Sequence, residues 1–90
     1  MRQIVQTAQF KKDLKKVALS GRHQAGELFE IVARLARDEP LSERHRDHAL
    51  SGNWLHHREC HVRPDWLPIY KSTPEFLTLV RTGSHSELFE

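Results

Sequence analysis

The hydrophobic period changes at Pro40, and that change constrains the fold more than any other feature of the chain. Before it, apolar residues recur three and four apart. Phe10, Leu14 and Val17 form one set; Ala25, Leu28, Val32 and Leu35 form the next, widened by Ile31. Such spacing puts each set on one face of a helix. Thr7 is placed to cap the first helix, and Gly21 to end it in a left-handed conformation. Pro40 lacks the N–H that a longer second helix would need. Two short helices joined by a tight turn make an αα-hairpin. The β-branched run RQIVQT, just before them, reads as a strand.

Beyond Pro40, LSERHRDHALSGNW is polar and punctuated, a loop that carries His45 and His48. From His57 onward the alternation has a period of two. His57, Glu59 and His61 share one face of a strand, while Arg58, Cys60 and Val62 share the other. RPD and STPE then supply turns, and WLPIYKS and FLTLVRT supply two more strands. Pro68 has no N–H to donate to a ladder, which predicts an edge position or a bulge there. The order β-α-α-β-β-β predicts an α+β fold, an antiparallel-rich sheet with a helical hairpin packed on one face. The other face is expected to be free to act. No repeat or linker divides the chain, so residues 1–90 read as one domain.

Composition removes several classes of function. A lone Cys60 supports neither an internal disulfide nor a cysteine-based zinc site, and suits a reducing cytoplasm. No apolar run approaches the ~20 residues that span a bilayer, and the N-terminus has no apolar signal core. A cytoplasmic protein without a membrane partner is expected. The formal charge is only +2, yet Lys11, Lys12, Lys15 and Lys16 fall within two helical turns. Arg44, Arg46, Arg58, Arg63 and Arg81 are spread through the second half. The lysines alone read as a solvated face; together with the arginines they point to a polyanion, nucleic acid first among them.

Three segments carry chemistry: RDHAL, CHVRPDW and RTGSHSELF. Together they offer His48, His61, Asp65, Trp66, Arg81, His85 and Phe89. Imidazole, with an unperturbed pKa of ~6.5, moves protons in both directions near neutrality. Two histidines flanking a phosphodiester allow one to take the proton of a ribose 2′-OH and the other to protonate the leaving 5′ oxygen. Arginine suits charge building on phosphoryl oxygens, and Trp66 and Phe89 suit stacking on unpaired bases. Plainer readings exist for each. His23, His45, His56 and His57 read as ordinary surface histidines, Asp65 as a turn residue, Arg81 as a strand-end ion pair and the aromatics as core. Histidines with Asp65 also make a common metal ligand set. Spacing alone leaves the matter open, with acid–base use preferred to a metal.

The combination D-H-x-L-x-G-x-W, H-V-x-P-D-W and R-x-G-[ST]-H-x-x-L-F, spanning about Asp47 to Phe89, resembles the YafQ-type branch of the RelE superfamily. These are the toxins of type II toxin–antitoxin modules. The resemblance implies a RelE-like domain and a ribosome-dependent endoribonuclease that cuts mRNA in the decoding site with no metal or cofactor. It implies a cognate antitoxin that wraps the toxin, and operator DNA bound only through that complex. It assigns His48, His61, Asp65, Arg81 and His85 to the active site, with Trp66 and Phe89 beside them. Lys11, Lys12, Lys15 and Lys16 are expected to contact RNA. Pro68 stands where relatives usually carry an aliphatic strand residue. The alternative is a non-catalytic RNA- or ribosome-binding module on the same scaffold.

Overall fold

A computed structural model describes residues 1–89. The chain runs β1 (Gln3–Gln6), α1 (Ala8–Ser20), α2 (Ala25–Ala36), β2 (His48–Ala49), β3 (Arg58–Glu59), β4 (Leu67–Ser72), β5 (Phe76–Gly83) and α3 (His85–Phe89). The sheet has five strands in the order β1-β5-β4-β3-β2. β1 pairs with β5 in parallel, and every other pair is antiparallel. The expected α+β class and hairpin therefore hold. Four short elements are additional: β2 and two single-turn 3-10 helices, Glu43–His45 and Gly52–Trp54, inside the segment read as loop, and α3 near the C-terminus.

Local signals explain the helices. The Thr7 hydroxyl accepts from the Phe10 N–H at 3.0 Å, and Gly21 closes α1 with φ of +74°. Such a cap is worth ~1 kcal/mol. α2 ends at Ala36, short of Pro40, because Asp38 already turns left-handed at φ 58°. Both apolar stripes then meet the sheet. Phe10, Leu28, Ile31, Val32, Leu35, Cys60, Trp66, Tyr70, Leu77 and Leu79 form the main core. Each large side chain buried there contributes ~1.5–3 kcal/mol relative to exposure. Burial pushes the Cys60 thiol up to about 12, so it packs as a hydrophobe and offers no thiolate.

The opposite face of the sheet is not bare, contrary to expectation. Leu67 and Ile69 alternate with the core residues of β4, and with Leu88 of α3 they form a second cluster. Leu50, Trp54 and Val80 pack against it. That cluster gives the Leu-x-Gly-x-Trp motif a physical reason. Leu50 and Trp54 pin the loop down, and Gly52 takes φ +63° between them, in the region that disfavours side chains. Pro68 behaves as its chemistry requires. It faces Thr82 of β5, β3 pairs only with Ile69 and Tyr70, and the register shifts between those two residues. No helix among the described residues is long and apolar enough to cross a membrane.

Candidate active site

The uncovered part of the second face centres on Glu59, a carboxylate only 2% exposed. Period-two alternation sends Cys60 into the core and Glu59 to the other side, with His61 next to it. Three imidazoles converge on one oxygen of Glu59, Oε1. His48 Nε2 lies 3.1 Å away, His61 Nε2 3.7 Å and His85 Nε2 3.8 Å. The second oxygen, Oε2, is buried with no hydrogen-bond partner among the described residues. An unsatisfied buried carboxylate oxygen costs roughly 1–3 kcal/mol or more, so stability alone does not explain Glu59.

His48 belongs to β2 and His85 to α3, while His61, expected on a strand that ran on from His57, lies just past the end of the two-residue β3. β2 pairs His48 with Glu59, and Nδ1 of His48 contacts the Arg46 carbonyl at 2.6 Å. Asp47, next to it, is fixed by the Tyr70 hydroxyl and by Arg58 at 3.3 Å. His61 contacts the Pro64 carbonyl through Nδ1 at 3.3 Å, and an Arg63–Trp66 bridge closes that turn. His85 opens α3, whose start is a capping box. The Ser84 hydroxyl accepts from the Glu87 N–H at 3.2 Å, and the Glu87 carboxylate accepts from the Ser84 N–H at 2.9 Å. The Ser84 N–H, then Lys16 and the Ser84 hydroxyl acting on the carboxylate, hold the Glu87 carboxyl down at about 2. The rings of His61 and His85 end 5.4 Å apart, and Phe89 lies 5.3 Å from His85.

Other expected site residues fall elsewhere. Trp66 is 1% exposed, its indole N–H donates to the Thr82 hydroxyl at 3.0 Å, and His23 stacks on it at 4.7 Å. It is a core residue, and the expectation that it stacks on RNA bases is corrected. Trp66→Phe is expected to destabilise the protein by about 1–3 kcal/mol in urea unfolding, since volume and a buried hydrogen bond are both lost. A surface stacking residue would leave the midpoint where it is. The same contact removes His23 from the ordinary surface histidines. His45 leaves that class too, because its Nδ1 meets the His61 carbonyl at 2.7 Å.

Arg81 is bound in a fork by Asp13 of α1, at 2.9 and 3.1 Å. Burial alone would raise the Asp13 pKa, but hydrogen bonds from Arg81, Gln9 and the Thr82 amide outweigh it and hold the carboxyl below its usual range. Arg81 keeps its Nη1 outside that fork, with 30% of its side chain accessible. Asp65 is exposed beside a groove that also includes His23, Ser84 and Glu87, with no cation within 4.0 Å among the described residues. Lys16 pairs with Glu87 at 2.9 Å. Lys11, Lys12 and Lys15 are exposed. Glu59 and Asp13 were not among the candidates drawn from sequence. Alternation with His61 was the available signal for Glu59; Asp13 had none, sitting in a lysine-rich run and meeting Arg81 across 68 positions.

Comparison with known proteins places the chain in a family and agrees with its fold. Residues 2–90 match the family model described as the bacterial toxin of the type II toxin–antitoxin system, YafQ. The chain is 37% identical over 89 residues to the mRNA interferase toxin YafQ of Escherichia coli strain K12, covering 98% of this chain and 96% of that protein. A copper-bound mutant toxin from Helicobacter pylori superposes with a TM-score of 0.93 at 40% identity, over 99% of this chain and all of that one. The toxin in the Escherichia coli DinJ–YafQ complex superposes at 0.87 with 36% identity, over the whole of both chains.

Proposed function

The chain belongs to the YafQ family of bacterial type II toxins, endoribonucleases of the mRNA interferase kind, and we propose that it cuts ribosome-bound mRNA by acid–base chemistry at the histidines around Glu59. The observation that carries this reading is the pair His61 and His85. Their rings are 5.4 Å apart, one from the turn after β3 and one from α3, and both face one oxygen of a buried carboxylate. A phosphodiester seated over them has one imidazole to take the 2′-OH proton and another to protonate the departing 5′ oxygen. Glu59 orients both rings and His48 from beneath. Arg81 Nη1 is the donor for charge on the phosphoryl oxygens, while Asp13 fixes the guanidinium plane. Phe89 is the one expected aromatic that is exposed beside a site histidine, and it serves as the stacking surface. Asp65, exposed at the adjoining groove, acts from the rim rather than within the histidine cluster.

Ribosome dependence follows from charge. With a net charge of +2 the protein neutralises few phosphates by itself, so the ribosome supplies the remaining grip. Lys11, Lys12 and Lys15 are free to contact ribosomal RNA. The partner is a cognate antitoxin, as DinJ is for the Escherichia coli toxin, and operator DNA is reached through that complex in the cytoplasm. Product ends test the chemistry. Cleavage is expected to leave a 5′-hydroxyl and a 2′,3′-cyclic phosphate or its 3′-phosphate product. A 2′-deoxy or 2′-O-methyl nucleotide at the cut should block it. A 5′-phosphate end would exclude this mechanism.

One observation favours a second reading. Glu59, His61 and His85 present ligand atoms all within 4.8 Å of one another, and Glu59 Oε2 is an orphaned acceptor. Nitrogen–nitrogen–oxygen sets of this kind suit copper or zinc, and a related Helicobacter pylori toxin has been solved copper-bound. A metal there would occupy the nitrogens that acid–base catalysis needs. Under the first reading chelator-treated protein cuts at full rate and added copper inhibits; under the second, chelator abolishes cleavage.

A further inference from the structure

His61 also borders a recess of about 1000 Å³ between α2 and the segment 42–46. Its walls carry Arg34 from α2 and Arg44 and Arg46 from the segment before β2. None of these three has a carboxylate within 4.0 Å among the described residues. Arg63 also lines it, but its guanidinium is neutralised by Glu27, with Nε 2.9 Å from the carboxylate. Glu30 is then the single uncompensated acid on the walls, against three uncompensated arginines.

The recess is joined to the active site through the backbone. The His61 N–H donates to the His45 carbonyl at 2.6 Å, and the His45 ring returns to the His61 carbonyl at 2.7 Å. The segment bearing Arg44 and Arg46 is thus clamped to the residue that faces the scissile phosphate. Arg46 turns left-handed at φ 47°, and its carbonyl holds His48. We propose that this recess is a phosphate-binding cleft for single-stranded RNA, which takes the strand as it leaves the scissile position past His61. Arg34, Arg44 and Arg46 grip its phosphates and Glu30 sets a limit on that grip. This assignment rests on the endonuclease reading, because His61 belongs to both sites. The continuity with His61 favours RNA over an acidic protein segment, the other polyanion such a cleft could hold.

The test uses the full chain and a fluorescein-labelled 2′-O-methyl oligonucleotide, which binds without being cut, with anisotropy read over a series of potassium chloride concentrations. The triple variant Arg34→Gln, Arg44→Gln, Arg46→Gln is expected to bind about 10–100-fold more weakly at low salt, with a salt slope reduced by about 2, at ~0.7 per lost phosphate contact. Glu30→Gln is expected to bind more tightly, and lysines in place of the three arginines to restore most of the affinity. Lys71→Gln, on β4, should change nothing. On programmed ribosomes the triple variant should need about 10-fold more protein for half-maximal single-turnover cleavage, at a limiting rate within ~3-fold of the parent. Parental affinity and slope in a triple variant with parental circular dichroism would overturn the assignment. So would unchanged RNA binding with lost affinity for a poly-glutamate peptide, which makes the cleft a protein-docking surface. Failure of the parent to cut any RNA would sink the endonuclease reading instead, while the anisotropy series would still decide the cleft.

Discussion

Replacing His85 with alanine is expected to slow single-turnover cleavage on programmed ribosomes by about 10²–10⁴, and His61→Ala by a similar factor. Both rings face Glu59 Oε1, and in the proposed mechanism each handles one of the two protons that the reaction moves. Because they serve one transition state, the double variant should lose less than the product of the single effects. His85 is half-exposed at the start of a short helix, so its loss should leave folding intact. His61 is more enclosed, with 14% of its side chain accessible, and its variant needs a circular dichroism check. The control must avoid His23 and His45, which touch Trp66 and His61. His56 is exposed and left-handed at φ 70°, a conformation asparagine tolerates, so His56→Asn should cut at the parental rate. Parental cleavage by His85→Ala would remove the histidine pair from the mechanism.

The larger elements were legible because their signals are periodic. Phe10, Leu14 and Val17 mark α1, Leu28 to Leu35 mark α2, and alternation from His57 separates Cys60 from Glu59. β2 left no such trace, since two residues carry no period and its pairing with β3 depends on a loop pinned by Leu50 and Trp54. α3 is five residues long, too short for a stripe, although Ser84-x-x-Glu87 is a readable capping box. The burial of Trp66 was undecided by sequence, because an aromatic after a turn suits a core as well as a ligand surface. The Arg81–Asp13 fork was invisible for a different reason. It joins residues 68 apart, and Asp13 sits among lysines that suggest only a solvated face. Motif resemblance gathered His48, His61 and His85; it did not show that a buried carboxylate lies under them.

That carboxylate gives a prediction in which activity and stability move in opposite directions. Glu59→Gln keeps the shape of the side chain and removes its charge. The rate is expected to fall by about 10²–10³, the usual cost of removing one electrostatic partner from a catalytic site. His48, His61 and His85 would share at best a neutral carbonyl oxygen in place of a carboxylate, and an amide turned the other way would set its N–H groups against any imidazole N–H. Stability should not fall with the rate. Oε2 is buried without a partner, and a neutral amide is cheaper to bury than a carboxylate with one oxygen left unpartnered. The unfolding midpoint in urea should hold, or rise by the equivalent of about 1 kcal/mol. A residue that merely braced the fold would lose stability and activity together. Glu59→Gln cutting at the parental rate would show that the three histidines do not need their shared carboxylate. A large loss of stability would show that Glu59 is kept for the fold.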